Sequence, residues 1–277
     1  MKQVNNSWCI VWLAGLSLCG TAHSMTVKVT TVSGFDEMDS PIPGEPFVDF
    51  DLGTNSAVAL WDGMSSHDHP GFPGFPGGTW PTAIAPNSGS STAILEQVSA
   101  GSGGTGYPAS SSLYFGGTAL GDVDGGVVRV YDASPVDDLN TVIFQLQMGE
   151  VFSFDFFQGQ MPTLSYSGES GTVESLDADF QSIFGDISSP GYGPYIDASV
   201  YTYGFQWDLS TVSEDITDFW ITMNPVQHAQ IYGMQLDQGD LVAHSSLLPT
   251  AVPEPATGLI YLSALLAGVA LRRPRVH

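Results

Sequence analysis

Residues 141–156 read TVIFQLQMGEVFSFDF, a stretch in which apolar and polar side chains alternate. Successive side chains of a β-strand point to opposite faces, so this alternation predicts strands with one buried face. In Thr141–Met148 one face would carry Val142, Phe144, Leu146 and Met148, and the other Ile143, Gln145 and Gln147. In Val151–Phe157 the inward side chains would be Phe152, Phe154 and Phe156. Gly149-Glu150 between the two runs is a tight-turn signal, so the stretch predicts a half-buried β-hairpin.

Short runs of the same kind, bounded by Gly, Pro, Asn and Asp, recur on both sides of this stretch. We predict further strands at Thr26–Val32, Val48–Leu52, Ala57–Trp61, Ala93–Val98, Ser112–Phe115, Val127–Tyr131, Thr163–Tyr166, Val200–Gln206, Asp218–Met223 and Gln230–Leu236. Many short strands without a long helical pattern predict an all-β domain, a jelly-roll-like two-sheet β-sandwich. One helical turn is expected at Asp177–Phe184, because Leu176, Phe180 and Phe184 recur at helical spacing.

His67–Gly78 is a loop rich in proline and glycine rather than a strand. Its aromatic side chains, Phe72 and Phe75, together with the nearby Trp80, would either stack on a sugar or fold back onto the sandwich. We favour folding back, because exposed aromatic clusters are uncommon without a partner.

The charge of the chain is strongly one-sided. Residues 25–251 hold 28 acidic residues but only two basic ones, Lys28 and Arg129, for a net charge of −26. Such a surface repels nucleic acid and anionic lipid head groups and attracts divalent cations. We therefore expect no nucleic-acid partner. We interpret the acidic residues as a solvated coat, with calcium-dependent order as the alternative.

The N-terminus has the parts of a secretory signal peptide, residues 1–24, which signal peptidase would remove. Lys2 precedes the apolar stretch Trp8–Cys19, and the small residues Ala22 and Ser24 permit cleavage before Met25. Lipidation at Cys19 is the alternative, although Leu18 precedes it where a small residue is expected. Both cysteines, Cys9 and Cys19, lie in this signal. The exported domain, residues 25–251, therefore has no disulfide, and core burial or bound metal must hold it.

Residues 252–277 combine a rigid box, an apolar run and a basic end. The box is Val252-Pro253-Glu254-Pro255-Ala256-Thr257, whose prolines lack amide donors and impose extended geometry on their neighbours. The uncharged run 257–271 predicts a membrane-seeking helix of about 22 Å, shorter than a bilayer core of about 30 Å. Arg272, Arg273 and Arg275 would remain cytoplasmic under the positive-inside rule. A buried core helix and a GPI-like signal are the alternatives.

This combination resembles the PEP-CTERM sorting signal of some Gram-negative bacteria. The resemblance implies an exported protein that an exosortase processes near Pro253–Thr257. The strand Gln230–Asp237 also looks like the last strand of many PEP-CTERM ectodomains. We expect a precursor anchored by a single transmembrane helix in the inner membrane, and then a protein of the cell envelope or extracellular space.

Several acidic clusters are candidates for metal binding. Asp122 and Asp124 stand two residues apart before Gly125, a spacing that calcium loops use because alternate oxygens converge at a sharp turn. A plain Asp/Gly turn is the interpretation that we favour, because no bidentate Glu follows at the EF-hand position.

Asp36, Glu37 and Asp39 form a second cluster. Asp49 and Asp51 would share one face of a strand. His67-Asp68-His69 offers transition-metal ligands, with a fortuitous surface loop as the favoured reading.

The sequence motifs that could indicate an enzyme are weak in this chain. Ser170 follows Gly168 by two residues, but Gly171 comes one position too early for a nucleophile elbow. Asp155 is a candidate for one of the two carboxylates that glycoside hydrolysis requires, and it would need a second carboxylate nearby. We expect no cofactor, with calcium as the alternative.

Three functions remain open from the sequence. The first, which we favour, is a non-enzymatic surface or matrix protein that associates with exopolysaccharide. The second is a secreted carbohydrate-active enzyme on a jelly-roll scaffold, and the third is a membrane-anchored protein whose tail is never cut.

Overall fold

The computed structural model describes residues 28–29, 47–149, 155–171, 173–189 and 198–250. Within these residues the regular structure is β, apart from a 3-10 turn at Phe157–Gly159. The strands are β1 (Lys28–Val29), β2 (Val48–Asp49), β3 (Ser56–Trp61), β4 (Ser88–Gly89), β5 (Ile94–Ala100), β6 (Gly106–Pro108), β7 (Leu113–Phe115), β8 (Gly126–Asp132), β9 (Thr141–Gly149), β10 (Thr163–Gly168), β11 (Val173–Asp177), β12 (Phe180–Ser189), β13 (Ala198–Asp208), β14 (Ile216–Met223) and β15 (Gln230–Gly239). None of the described segments is a helix with the length and hydrophobicity that a bilayer crossing requires.

The strands form two antiparallel sheets that pack as a β-sandwich. The small sheet has the order β11-β10-β14-β8-β5. The large sheet has the order β12-β13-β9-β15-β3-β4, and β7 joins it through β15 with β6 alongside. β1 and β2 form a separate two-stranded ladder. The predicted all-β sandwich is confirmed at this level.

The core lies between the two sheets and follows the predicted alternation. Val142, Phe144, Leu146 and Met148 of β9 all point into it. They meet Val128, Val130, Leu164, Phe219 and Ile221 from the small sheet. Trp61 and Trp207 are fully buried among them. Burial of these large side chains is the main source of stability in this part of the chain, which contains no cysteine.

The second face of β9 is also buried, so the prediction of a half-buried strand is wrong. Two chain segments, 47–52 and 241–250, cover the outer face of the large sheet. Leu52 and Leu248 from these segments pack against Ile143 in a second apolar cluster. Gln145 and Gln147 are buried under the same cover. Alternation along one strand reveals its two faces, but it does not show that a distant segment returns to cover the polar one.

The predicted hairpin and the predicted helical turn are also wrong. The neighbours of β9 are β13 and β15, so it does not pair with residues 151–156. Residues 150–154 lie outside the described residues, and Phe156 forms an isolated bridge to Pro225. Asp177 is the last residue of β11 and residues 180–184 begin β12, with Ala178 and Asp179 between the two strands. Leu176 lies in β11 of the small sheet, whereas Phe180 and Phe184 lie in β12 of the large sheet, so their helical spacing is coincidental.

Of the three aromatic residues in and after the proline- and glycine-rich loop, two fold back as predicted. Phe72 packs edge-on against Trp80 with ring centroids 5.6 Å apart, and Trp80 is buried. The Trp80 indole nitrogen donates a hydrogen bond to Gly106 O at 2.6 Å. Phe75 at the tip of the loop is 62% exposed.

Candidate ligand-binding groove

A groove of about 520 Å³ opens at one end of the small sheet, where its strands meet the edge of the large sheet. Six of the residues that line it are polar: Gln160, Thr163, Asp177, Gln181, Thr222 and Asn224. Met161, Pro162 and Ala178 add apolar surface. Sequence reasoning did not identify this groove, because its residues come from four separate strand ends.

The strand register brings the floor of the groove together. Thr163, the first residue of β10, lies opposite Asp177 on one side and Thr222 on the other. Neighbouring strands are about 4.8 Å apart, so these three side chains form a continuous row. Gln181 reaches the groove from β12 in the other sheet.

The wall formed by residues 155–162 is fixed by the acidic residues that the sequence singled out. The backbone N–H of Gln158 donates to Asp122 Oδ1 at 2.7 Å, and Gln158 adopts a positive φ of 56°. The Phe157 N–H donates to Asn224 O at 2.8 Å. With its amide turned to satisfy both groups, Asn224 donates to Asp124 Oδ1 at 2.9 Å and to Gly126 O at 3.1 Å. Asp122 and Asp124 therefore position the loop and the amide that border the groove.

Calcium binding at Asp122 and Asp124 stays a prediction. Asp124 Oδ1 also accepts the Gly126 N–H at 2.9 Å, which is the geometry of the Asp/Gly turn that we favoured. Among the described residues, no three side chains of His, Cys, Asp or Glu gather in a metal-binding arrangement.

The groove is suited to hydrogen bonding with hydroxyl groups. Its glutamine amides offer both donors and acceptors, its threonines offer hydroxyls, and Asn224, whose NH₂ group donates to Asp124 and Gly126, offers its amide oxygen as an acceptor. Asp177 contributes an acceptor. Met161, whose side chain is substantially exposed, offers an apolar contact beside these groups. Such a mixture fits a ligand that alternates hydroxyls with C–H surface.

An aromatic cluster lies on the same outer face of the small sheet. Trp220 of β14 is opposite Tyr131 of β8, with ring centroids 6.4 Å apart. The Arg129 guanidinium carbon lies 5.1 Å from the centre of the Tyr131 ring and 5.8 Å from that of Trp220. Arg129 Nε donates to Glu96 Oε2 at 2.8 Å. A guanidinium over two aromatic rings is a cation–π arrangement that holds all three side chains in place.

The other predicted metal ligands are occupied by local hydrogen bonds or lie apart. His69 Nε2 donates to Gly63 O at 2.9 Å, and Asp68 Oδ2 accepts the Ser65 hydroxyl at 2.6 Å. β2 ends at Asp49, and Asp51 is exposed beyond it. Asp36, Glu37 and Asp39 lie outside the described residues. Asp155 accepts a hydrogen bond from the Tyr203 hydroxyl.

A buried acidic network under the 47–52 segment was missed by sequence reasoning. Asp237 is 1% exposed and accepts hydrogen bonds from the side-chain amides of Gln235, at 3.1 Å, and Gln145, at 3.2 Å. Gln145 also pairs with the backbone of Val48, accepting from its N–H at 2.9 Å and donating to its carbonyl at 2.7 Å. Burial raises the pKa of Asp237 to about 8, and the nearby Asp49 adds to the rise. The amides oppose it by hydrogen bonding to the charged form.

The predicted sorting and cleavage residues lie outside the described residues. These are Ala22, Ser24 and Met25 at the N-terminus, the box Val252–Thr257, and Arg272, Arg273 and Arg275. The same holds for the two predicted terminal helices. In comparisons with known proteins, no family model, curated protein or solved structure matches this chain.

Proposed function

We propose that this chain is an exported bacterial surface or matrix protein, sorted by a C-terminal PEP-CTERM signal, whose β-sandwich binds exopolysaccharide without turning it over. The box, the apolar run and the arginines of residues 252–277 support the sorting. The N-terminal signal supports export. On this proposal an exosortase and signal peptidase act on the precursor, and the inner membrane holds it only transiently.

The groove carries the binding part of the proposal. Its amides, hydroxyls and exposed Met161 match the alternating polar and apolar surface of a sugar chain. Of the described residues that line it, Asp177 is the one carboxylate, whereas glycoside hydrolysis commonly needs a pair. This chemistry favours binding over hydrolysis.

A jelly-roll-like topology is part of the same proposal. From β8 onward the chain repeatedly changes sheet: it does so from β8 to β9, from β9 to β10, from β11 to β12, from β13 to β14 and from β14 to β15. Repeated crossing of this kind is typical of two-sheet jelly rolls.

A double variant of the groove tests the binding. Gln160→Ala with Gln181→Ala removes two amides, each worth about 1 kcal/mol as a net hydrogen bond, so polysaccharide affinity should fall about tenfold or more. Affinity electrophoresis of the full-length chain in gels that contain soluble polysaccharides measures the change.

The matched control is Asn55→Ala. Asn55 is an exposed amide that precedes β3, on the opposite side of the large sheet from Gln181. It should leave the affinity unchanged. If the unaltered chain binds no polysaccharide in the panel, or releases shortened sugars from one, the proposed function is wrong.

A further inference from the structure

The polar row of the groove does not stop at Thr222 but continues across the small sheet. Thr222 lies opposite Arg129 of β8, and Arg129 lies opposite Glu96 of β5. Asp177 and Arg129 are thus separated by three strand spacings, or about 14 Å. The groove and the aromatic cluster are two ends of one continuous strip.

The side chains at the aromatic end of the strip contact one another and are only partly covered. Trp220 and Tyr131 are neither fully buried nor fully exposed, and the Arg129 and Glu96 side chains are 34% and 28% exposed. Within the described part of the chain, the guanidinium makes its hydrogen bond through Nε, to Glu96. Its terminal NH₂ groups are therefore left to donate to a ligand.

We propose that this strip is an extended binding face for an uncharged polysaccharide, which crosses the strands from the groove to Trp220 and Tyr131. A sugar ring packs its C–H face on the indole and phenol rings, and its hydroxyls accept hydrogen bonds from Arg129. The inference rests on the proposed function, because it names the class of polymer and a second subsite for the same groove.

The charges along the strip select the uncharged polymer. Glu96 neutralises Arg129, so the aromatic end has no net positive charge for a uronate or sulfate group. Asp177 and the net charge of −26 over residues 25–251 repel a polyanion along the rest of its length. A polycation would bind the acidic surface as a whole, with a strong dependence on salt, rather than this strip.

Substitution of Trp220 in the full-length chain, purified in detergent, tests the subsite. Trp220→Ala should weaken binding of a soluble neutral glucan about tenfold (1.4 kcal/mol). Trp220→Phe should keep most of the affinity because it keeps an aromatic face. The tryptophan fluorescence change on binding should disappear in both variants, because the other described tryptophans, Trp61, Trp80 and Trp207, are buried.

Phe75→Ala is the matched control, since Phe75 is an exposed aromatic residue on a loop rather than in the strip. Equal glucan affinity in the unaltered chain, Trp220→Ala and Phe75→Ala would overturn the subsite while leaving the groove variants to decide the proposed function. A change of oligomeric state in Trp220→Ala, with glucan binding retained, would overturn it too, because the strip would then bind a second copy of the chain.

Glu96→Gln tests the charge argument without removing packing. It keeps an acceptor for Arg129 Nε but leaves the guanidinium with its positive charge uncompensated. The ratio of polyuronate affinity to neutral-glucan affinity should rise about threefold at low salt. An unchanged ratio of the two affinities would overturn the assignment of an uncharged ligand.

Discussion

At the scale of single residues, the most unusual group is the buried Asp237. An aspartate in an unfolded chain ionises near pH 4, whereas folded Asp237 keeps its proton up to a pKa of about 8. Between these two values the native state binds the additional proton, so the free energy of unfolding falls as pH rises. Above pH 8 both states are ionised and this contribution levels off.

We predict that Asp237→Asn removes this dependence. The asparagine is neutral at every pH. The free energy of unfolding of the variant, relative to that of the unaltered protein, should therefore rise from pH 4 to pH 8 by on the order of 5 kcal/mol. Urea unfolding at a series of pH values measures it. Asp51→Asn, at an exposed position two residues after Asp49, is the control and should follow the unaltered protein. A constant difference between Asp237→Asn and the unaltered protein would contradict the prediction.

At the scale of strands and segments, local alternation was enough to locate most of the sandwich. β3, β5, β8, β9, β14 and β15 lie where alternating runs predict them, because one face of each packs on the core. The features that the sequence did not predict depend on contacts between residues that are distant in sequence. Gln145 looked solvent-exposed, but Val48, 97 residues away, pairs with its amide. The groove was likewise invisible, since Asp177, Thr163 and Thr222 become neighbours only through strand register.

The cover over the large sheet leads to a prediction at this scale. Leu52, the last residue of the 47–52 segment, is fully buried against this sheet, beside Ile143 and Leu248. Leu52→Ala should lower the free energy of unfolding by about 2–5 kcal/mol, the cost of lost burial plus a cavity. Urea denaturation measures it. Val242→Ala, in the other covering segment but 46% exposed, should cost less than about 0.5 kcal/mol. Equal losses in the free energy of unfolding for the two variants would contradict the packing of the 47–52 segment against the large sheet.

At the scale of the whole molecule, charge and hydrophobicity are divided by region. The acidic residues are concentrated in residues 25–251, which hold all but one of them, while three of the six basic residues follow the apolar run 257–271. On the proposed function, the acidic, cysteine-free residues 25–251 lie between an N-terminal signal and a basic sorting tail. We therefore expect that variants of the groove leave sorting unchanged and that variants of the tail leave ligand binding unchanged.

We predict that replacing Pro253, Glu254 and Pro255 together with alanine leaves the protein in the inner membrane with its tail intact. Alanines allow helix through the box, so the processing enzyme loses both the extended backbone and the carboxylate. Membrane fractionation and intact mass, in a host that encodes an exosortase, measure the outcome. Pro249→Ala is the control, because it changes a proline just before the box and retains the carbonyl that accepts the Ser182 hydroxyl at 2.7 Å. Release of the triple variant at the normal rate and mass would rule out processing directed by the box, and the sandwich would then reach its place by another route.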